Sequence, residues 1–328
     1  MAKLKNIFLL CLRVCVSILL LFLLFKFNRI DGGQLIANIK NTNKFFLLAG
    51  FCSLLLSYLL GFLRWRMLLK AISLKISLKR LICSFSGGVF FSIFLPSTIG
   101  GDLVRTADLS GHTQKTKEVI ATVFLDRLSG YVGLVFVVLL ALSLGGGLVL
   151  DRVVLTSVAG IIAVLTLVLL VLFNRTIYQL ISRLLSSGKA GKIREAVKNI
   201  HQEIHLFRNR KRMIAANLLL SFMIQLFSPI SAYFIGLALG VKISFIYFLV
   251  FLPIIGAITL LPIAIGGSGL REWLYVVYFA KAGVTEHLAV AMSLLSFSFT
   301  VVYAAIGGLL YVFTVHRRRL QSNPPPGI

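Results

Sequence analysis

Apolar runs of about twenty residues recur along the whole chain, separated by short polar stretches that are mostly basic. A bilayer's hydrocarbon core takes about twenty helical residues to cross. The pattern predicts full spans over 7–27, 45–63, 119–144, 153–173, 213–239 and 286–313. Two further apolar segments, 81–101 and 243–283, are interrupted by proline and paired glycines. These predict re-entrant or broken helices, since such breaks are tolerated at membrane depth only where protein or a water-filled cavity shelters the backbone. Eight conventional crossings is the rival count.

The two interrupted segments carry a degenerate, ungapped repeat. Leu95-Pro96-Ser97-Thr98-Ile99-Gly100-Gly101-Asp102-Leu103-Val104-Arg105 returns as Leu261-Pro262-Ile263-Ala264-Ile265-Gly266-Gly267-Ser268-Gly269-Leu270-Arg271. Leu, Pro, Ile, Gly, Gly and Arg keep their spacing. Paired breaks in corresponding places are the pattern expected of a transport pathway between two repeats.

Composition sharpens the class. Of 328 residues, 58% are hydrophobic and only 13% charged, and mean hydropathy is +0.96. The expected fold is all-α, a single polytopic helical membrane domain over 1–328, rather than a β-barrel with weak ten-residue alternation. The net charge of +24 falls in blocks between the apolar runs. It therefore points to the positive-inside rule and anionic headgroups, not to nucleic acid. Segment 64–80 holds Arg64, Arg66, Lys70, Lys75, Lys79 and Arg80 without an acid; 174–212 holds ten bases against Glu195 and Glu203; Arg317, Arg318 and Arg319 follow the last span. Putting these blocks in the cytoplasm gives a multi-pass cytoplasmic-membrane protein with both termini inside. The two interrupted segments would then enter from opposite sides, as inverted repeats do.

Smaller features add less. Lys3, Lys5 and the run after them read as a retained first span, with Arg13 snorkelling to the interface. Ile193, Val197, Ile200, Ile204 and Phe207 form an apolar stripe on a basic insert over 174–212, suited to the inner leaflet or to the protein's own cytoplasmic face. Residues 317–328 read as a short cytoplasmic tail. Cys11, Cys15, Cys52 and Cys83 are expected to be small core hydrophobes, and neither they nor His201 and His205 make a metal site.

Three constellations are candidates for chemistry. Asp102 and Arg105 follow Gly100 and Gly101 at a spacing that puts them on one helix face. Intramembrane charges are costly, so the two are expected to pair or to face a cavity. Gly266, Gly267, Gly269, Arg271 and Glu272 form the second set. Adjacent Arg271 and Glu272 should diverge on a helix unless the chain bends, leaving Glu272 to pair with Arg105 or Arg127. The third is the polar stripe Glu118, Thr122, Asp126 with Arg127, a proton relay or a counter-charge for the arginines. The bland alternatives are a structural ion pair at a helix start on the cytoplasmic rim for the first, a local cap with a glycine hinge for the second, and a solvated Glu118 at the helix entry for the third. Pro96 and Pro262 would break the helices. Catalytic signatures such as G-x-S-x-G, a Walker A loop or H-E-x-x-H are absent from the sequence, and no cofactor is expected.

At P-S-T-I-G-G-D-L-V-R (96–105), E-V-I-A-T-V-F-L-D-R (118–127) and L-P-I-A-I-G-G-S-G-L-R-E (261–272), the chain resembles the flippase-like transmembrane region of lysylphosphatidylglycerol synthases. The full-length synthases add a cytoplasmic aminoacyltransferase domain, and this chain ends soon after its last span, so aminoacyl transfer is not expected of it. The resemblance implies translocation, by a flippase or scramblase, of an anionic phospholipid or other phosphate-bearing lipid. Arginine suits a phosphate because its fork offers two donors. The headgroup site would comprise Gly100, Gly101, Asp102, Arg105, Asp126, Arg127, Gly266, Gly267, Arg271 and Glu272, with the acids balancing charge when it is empty. The alternatives are the membrane part of a lipid-modifying transferase, with a separate enzyme as partner, and a non-catalytic scaffold for a lipid enzyme.

Overall fold

The computed structural model describes residues 15–20, 22–24, 26, 31–74, 76–94, 99–145, 151–173, 210–259 and 267–322. No strand occurs among the described residues. The helices are α1 (Gly32–Lys40), α2 (Lys44–Ala71), α3 (Leu78–Phe94), α4 (Ile99–Thr113), α5 (Thr116–Gly145), α6 (Arg152–Phe173), α7 (Lys211–Ala238), α8 (Phe245–Thr259), α9 (Leu270–Ala280) and α10 (Glu286–Ser322). Five of them, α2, α5, α6, α7 and α10, are long and apolar enough to cross a membrane. They coincide with five of the six expected spans. Within the first expected span, the described residues lie in an apolar helix over Cys15–Leu24.

The chain divides into two compact units. One comprises Met1–Leu56, Ile76–Asp108 and Ser228–Ile328; the other comprises Ser57–Lys75 and Leu109–Phe227.

In the first unit, each interrupted segment is a helical hairpin. The legs α3 and α4 run antiparallel. Arg80 Nη2 bonds Asp108 Oδ1 at 3.0 Å, the Ser84 hydroxyl donates to the Arg105 carbonyl, and Gly88 faces Gly101. This last contact needs glycine at 101, because a Cβ there would lie 2.0 Å from the Gly88 carbonyl oxygen. The other hairpin, α8 and α9, closes on aromatic rings. Phe248 meets Phe279 with centroids 5.0 Å apart, and Phe251 meets both Tyr278 and Phe279. Gly267, at φ +74°, lies against Thr259 nearer the bend.

Within each segment the two legs run antiparallel, so neither segment is one continuous helix. At 1.5 Å per residue the legs are about 25 and 22 Å long in one hairpin and about 22 and 16 Å in the other, short of a 30 Å hydrocarbon core. The return leg α4 extends to Thr113, well past the expected limit at 101. Pro96, Pro262 and Gly266 lie outside the described residues, as do most of the basic insert, Arg13, Cys11, His201 and His205.

Helix α10 packs against both hairpins. Its first half receives α9 through Ser293 and Phe297. Its second half receives α3: Gly307 sits on Ser86, Gly308 on the Phe90 ring, and Tyr311 on Gly87 and Phe91. The two contact zones follow one another along α10.

In the second unit, α5 packs on α6 through Leu128 against Leu165, Val168 and Leu169, while Leu68 and Ala71 of α2 meet Leu125 and Met213. Cys83 is buried, but Cys15 and Cys52 are exposed, so only the first fills a core position. Apolar cysteines on a helix surface are unremarkable where that surface contacts lipid.

Candidate site: three internal acid–arginine pairs

The start of α4 holds the first pair. Arg105 Nη2 lies 2.9 Å from Asp102 Oδ1, one helical turn apart, as the spacing predicts. Both side chains are buried, and the methylenes of Arg105 run over Gly88, where any larger residue would press on them. Gly100 and Gly101 are buried at the same helix start.

The start of α9 holds the second pair, and here expectation fails. Arg271 and Glu272 do not diverge; they bond each other. Gly269, at φ +84°, turns the chain into the helix, a conformation that suits a residue without a Cβ. Glu272 then folds back over the helix start, where its Oε2 accepts the Gly269 N–H at 2.6 Å. That brings Oε1 beside the Arg271 guanidinium and the Ser293 hydroxyl, which donates to it at 3.1 Å. Glu272 is thus fully engaged by its own hairpin and α10, and its side chain is 1% exposed. Arg271 Nε also donates to Ser293 Oγ at 3.1 Å, and its guanidinium lies 4.2 Å from the Phe297 ring centroid. Tyr275 is buried one turn on, its ring stacked on Phe279.

The third pair is in the other unit, and its base was missed. Asp126 Oδ1 accepts Arg64 Nε at 2.8 Å, and Arg64 Nη1 donates to Ser221 Oγ at 2.9 Å. Arg64 had been counted among the cytoplasmic loop charges. It is instead a buried residue inside α2, which runs on to Ala71. Glycines on α5 make room: a Cβ on Gly130 would press on Arg64 Nη1 at 3.3 Å, and one on Gly133 would lie 2.9 Å from the Ser221 carbonyl carbon. Gln225 adds a bond to the Gly130 carbonyl. Of the expected polar stripe, Thr122 and Asp126 are buried and Glu118 and Arg127 half-buried; Thr122 donates to the Val119 carbonyl of its own helix, and Asp126 accepts from Arg64 on α2.

Pattern reasoning finds a pair on one helix turn. It does not find Arg64, 62 positions from Asp126, nor Ser293 and Phe297 on α10. The available signal for Arg64 was its apolar setting, Gly-Phe-Leu-Arg-Trp. No group of His, Cys, Asp and Glu suited to a metal ion occurs among the described residues.

These features define a polytopic helical membrane protein with two motif-bearing hairpins. The family model for the lysylphosphatidylglycerol synthase transmembrane region matches residues 10–308, and the chain belongs to that family. It is similar to a UPF0104 membrane protein of Pyrococcus horikoshii, 24% identical over 303 residues and covering 85% of this chain and 89% of that one. A UPF0104 membrane protein of Methanothermobacter thermautotrophicus is 26% identical over 253 residues, covering 70% and 73%.

Proposed function

We propose that the protein translocates a phosphate-bearing lipid across the cytoplasmic membrane as a flippase or scramblase, with both termini on the cytoplasmic side. The observation that carries this reading is the repeated hairpin with an acid–arginine pair beside each bend. A headgroup leaves water only if other groups replace its hydration. In this reading Arg105 and Arg271 supply the replacing donors, and each is paired with its own acid when no lipid is bound. The acyl chains need no protein, since they remain in the bilayer.

The test is lipid exchange in proteoliposomes with labelled anionic and zwitterionic lipids, the outer leaflet being quenched. Exchange by the wild type and its loss in Arg105→Ala plus Arg271→Ala is the expected result. Folded wild type that exchanges no anionic lipid overturns the reading.

The family description supports a second reading, the membrane part of a lipid-modifying synthase that works with a separate enzyme. Lipid extracts of cells expressing the chain with and without such an enzyme distinguish the two: a modified headgroup that requires both proteins favours the synthase.

A further inference from the structure

The two motif arginines are not equivalent. Arg105 is the more enclosed, its side chain 6% exposed, pinned by Asp102 and lying across Gly88. Arg271 is 17% exposed while its partner Glu272 is at 1%. Its inner edge is committed: Nε and Nη2 serve Glu272, and Nε also serves Ser293. Nη1 has no bond to any described residue, and it is not sealed in the interior. The guanidinium carbon also lies 4.2 Å from the Phe297 ring centroid, a further contact that limits its movement.

A guanidinium fixed on one edge and open on the other presents two parallel N–H donors, the geometry that grips a phosphate through two oxygens. Little side-chain freedom is lost on binding, because Glu272, Ser293 and Phe297 have already removed it. The Glu272 carboxylate cannot swing to compete, being tied to the Gly269 N–H and Ser293. Arg105, by contrast, is the more enclosed of the two, its side chain 6% exposed beside Asp102.

We propose that Arg271 is the phosphate-binding arginine of the conformation seen here, gripping its ligand through the open Nη1–Nη2 edge, with Glu272, Ser293 and Phe297 as positioning residues. This rests on the translocation reading only for the source of the phosphate, a lipid headgroup.

Binding and exchange are therefore measured separately. Intact protein in detergent is titrated calorimetrically with dihexanoyl phosphatidylglycerol, dihexanoylglycerol, which lacks the phosphate, and inorganic phosphate. Saturable binding of the first but not the second is expected, and competition by inorganic phosphate reports whether the phosphate alone suffices. Arg271→Lys keeps the charge but loses the fork, and should weaken binding tenfold or more. Phe297→Leu and Ser293→Ala keep Arg271 and should weaken it severalfold. Lys281→Gln, which removes an exposed charge just beyond the same helix, serves as the control and should match wild type. Thermal melts confirm that each variant is folded. Arg271→Lys binding as tightly as wild type, or phosphate-free dihexanoylglycerol binding equally well, overturns the assignment. Binding that follows these expectations without exchange in vesicles overturns translocation and leaves the assignment standing.

Discussion

At the scale of single residues, the sharpest energetic statement concerns Arg64 and Asp126. Removing one member of a buried pair leaves an uncompensated charge, at a cost of about 3–5 kcal/mol, whereas replacing both by apolar groups is often nearly neutral. Asp126→Ala should therefore lower thermal stability steeply in detergent, and Arg64→Met with Asp126→Leu should recover most of it. A double variant no more stable than Asp126→Ala would mean that the pair does more than satisfy itself. Glycine contacts give a second case. Gly101→Ala places a methyl group on the Gly88 carbonyl, with backbone on both sides, and overpacking of this kind costs about 1–3 kcal/mol or more. Gly308→Ala meets the Phe90 ring instead. Adding Phe90→Leu should return part of the loss, which a double-mutant cycle measures as a coupling between the two positions. What could be read in advance at this scale was whatever lies within one helical turn. Asp102 and Arg105 could be paired on paper because their separation is itself a statement about geometry. Arg64 looked like a loop charge because basic residues flanking an apolar run usually are. Glu272 was not paired with Arg271 because neighbours on a helix point apart; the turn at Gly269 is what lets its carboxylate fold back over the helix start.

Secondary-structure elements were more legible. Five long spans follow directly from the lengths of apolar runs, since the number of residues needed to cross a bilayer is fixed by helix rise. The broken segments were legible too, from proline and paired glycine. The return leg α4 was not, because Thr106–Thr113 is too polar to resemble membrane helix, and only its bonds to α3 show where it runs. The hairpins yield a topological prediction. In a protein stripped of its native cysteines, single cysteines at Lys79 and Gly111 should react with a membrane-impermeant maleimide from the same side. Cysteines at Lys242 and Lys281 should react from the opposite side. All four positions are exposed. Labelling of 79 and 111 from different sides would exclude the re-entrant arrangement.

For the molecule as a whole, the class and the family could be read from the sequence, and the lipid could not, because hydropathy reports only that a bilayer is the solvent. The acids tell more. The chain has ten of them, and four (Asp102, Asp108, Asp126 and Glu272) are spent on pairing an arginine inside the two units. Each pair is neutral as a unit. A pair that shifts intact therefore contributes no net charge moved through the membrane's electric field, and the pairs themselves should give the empty protein no voltage dependence. A phosphate seated on Arg271 changes that, since it adds about one negative charge to the moving part, worth about 2.3 kcal/mol across 100 mV. Imposing a potassium diffusion potential on proteoliposomes should then bias the leaflet distribution of anionic lipid and leave zwitterionic lipid evenly spread. Neutral pairing in the interior would make the cargo, rather than the protein, the voltage-sensitive component.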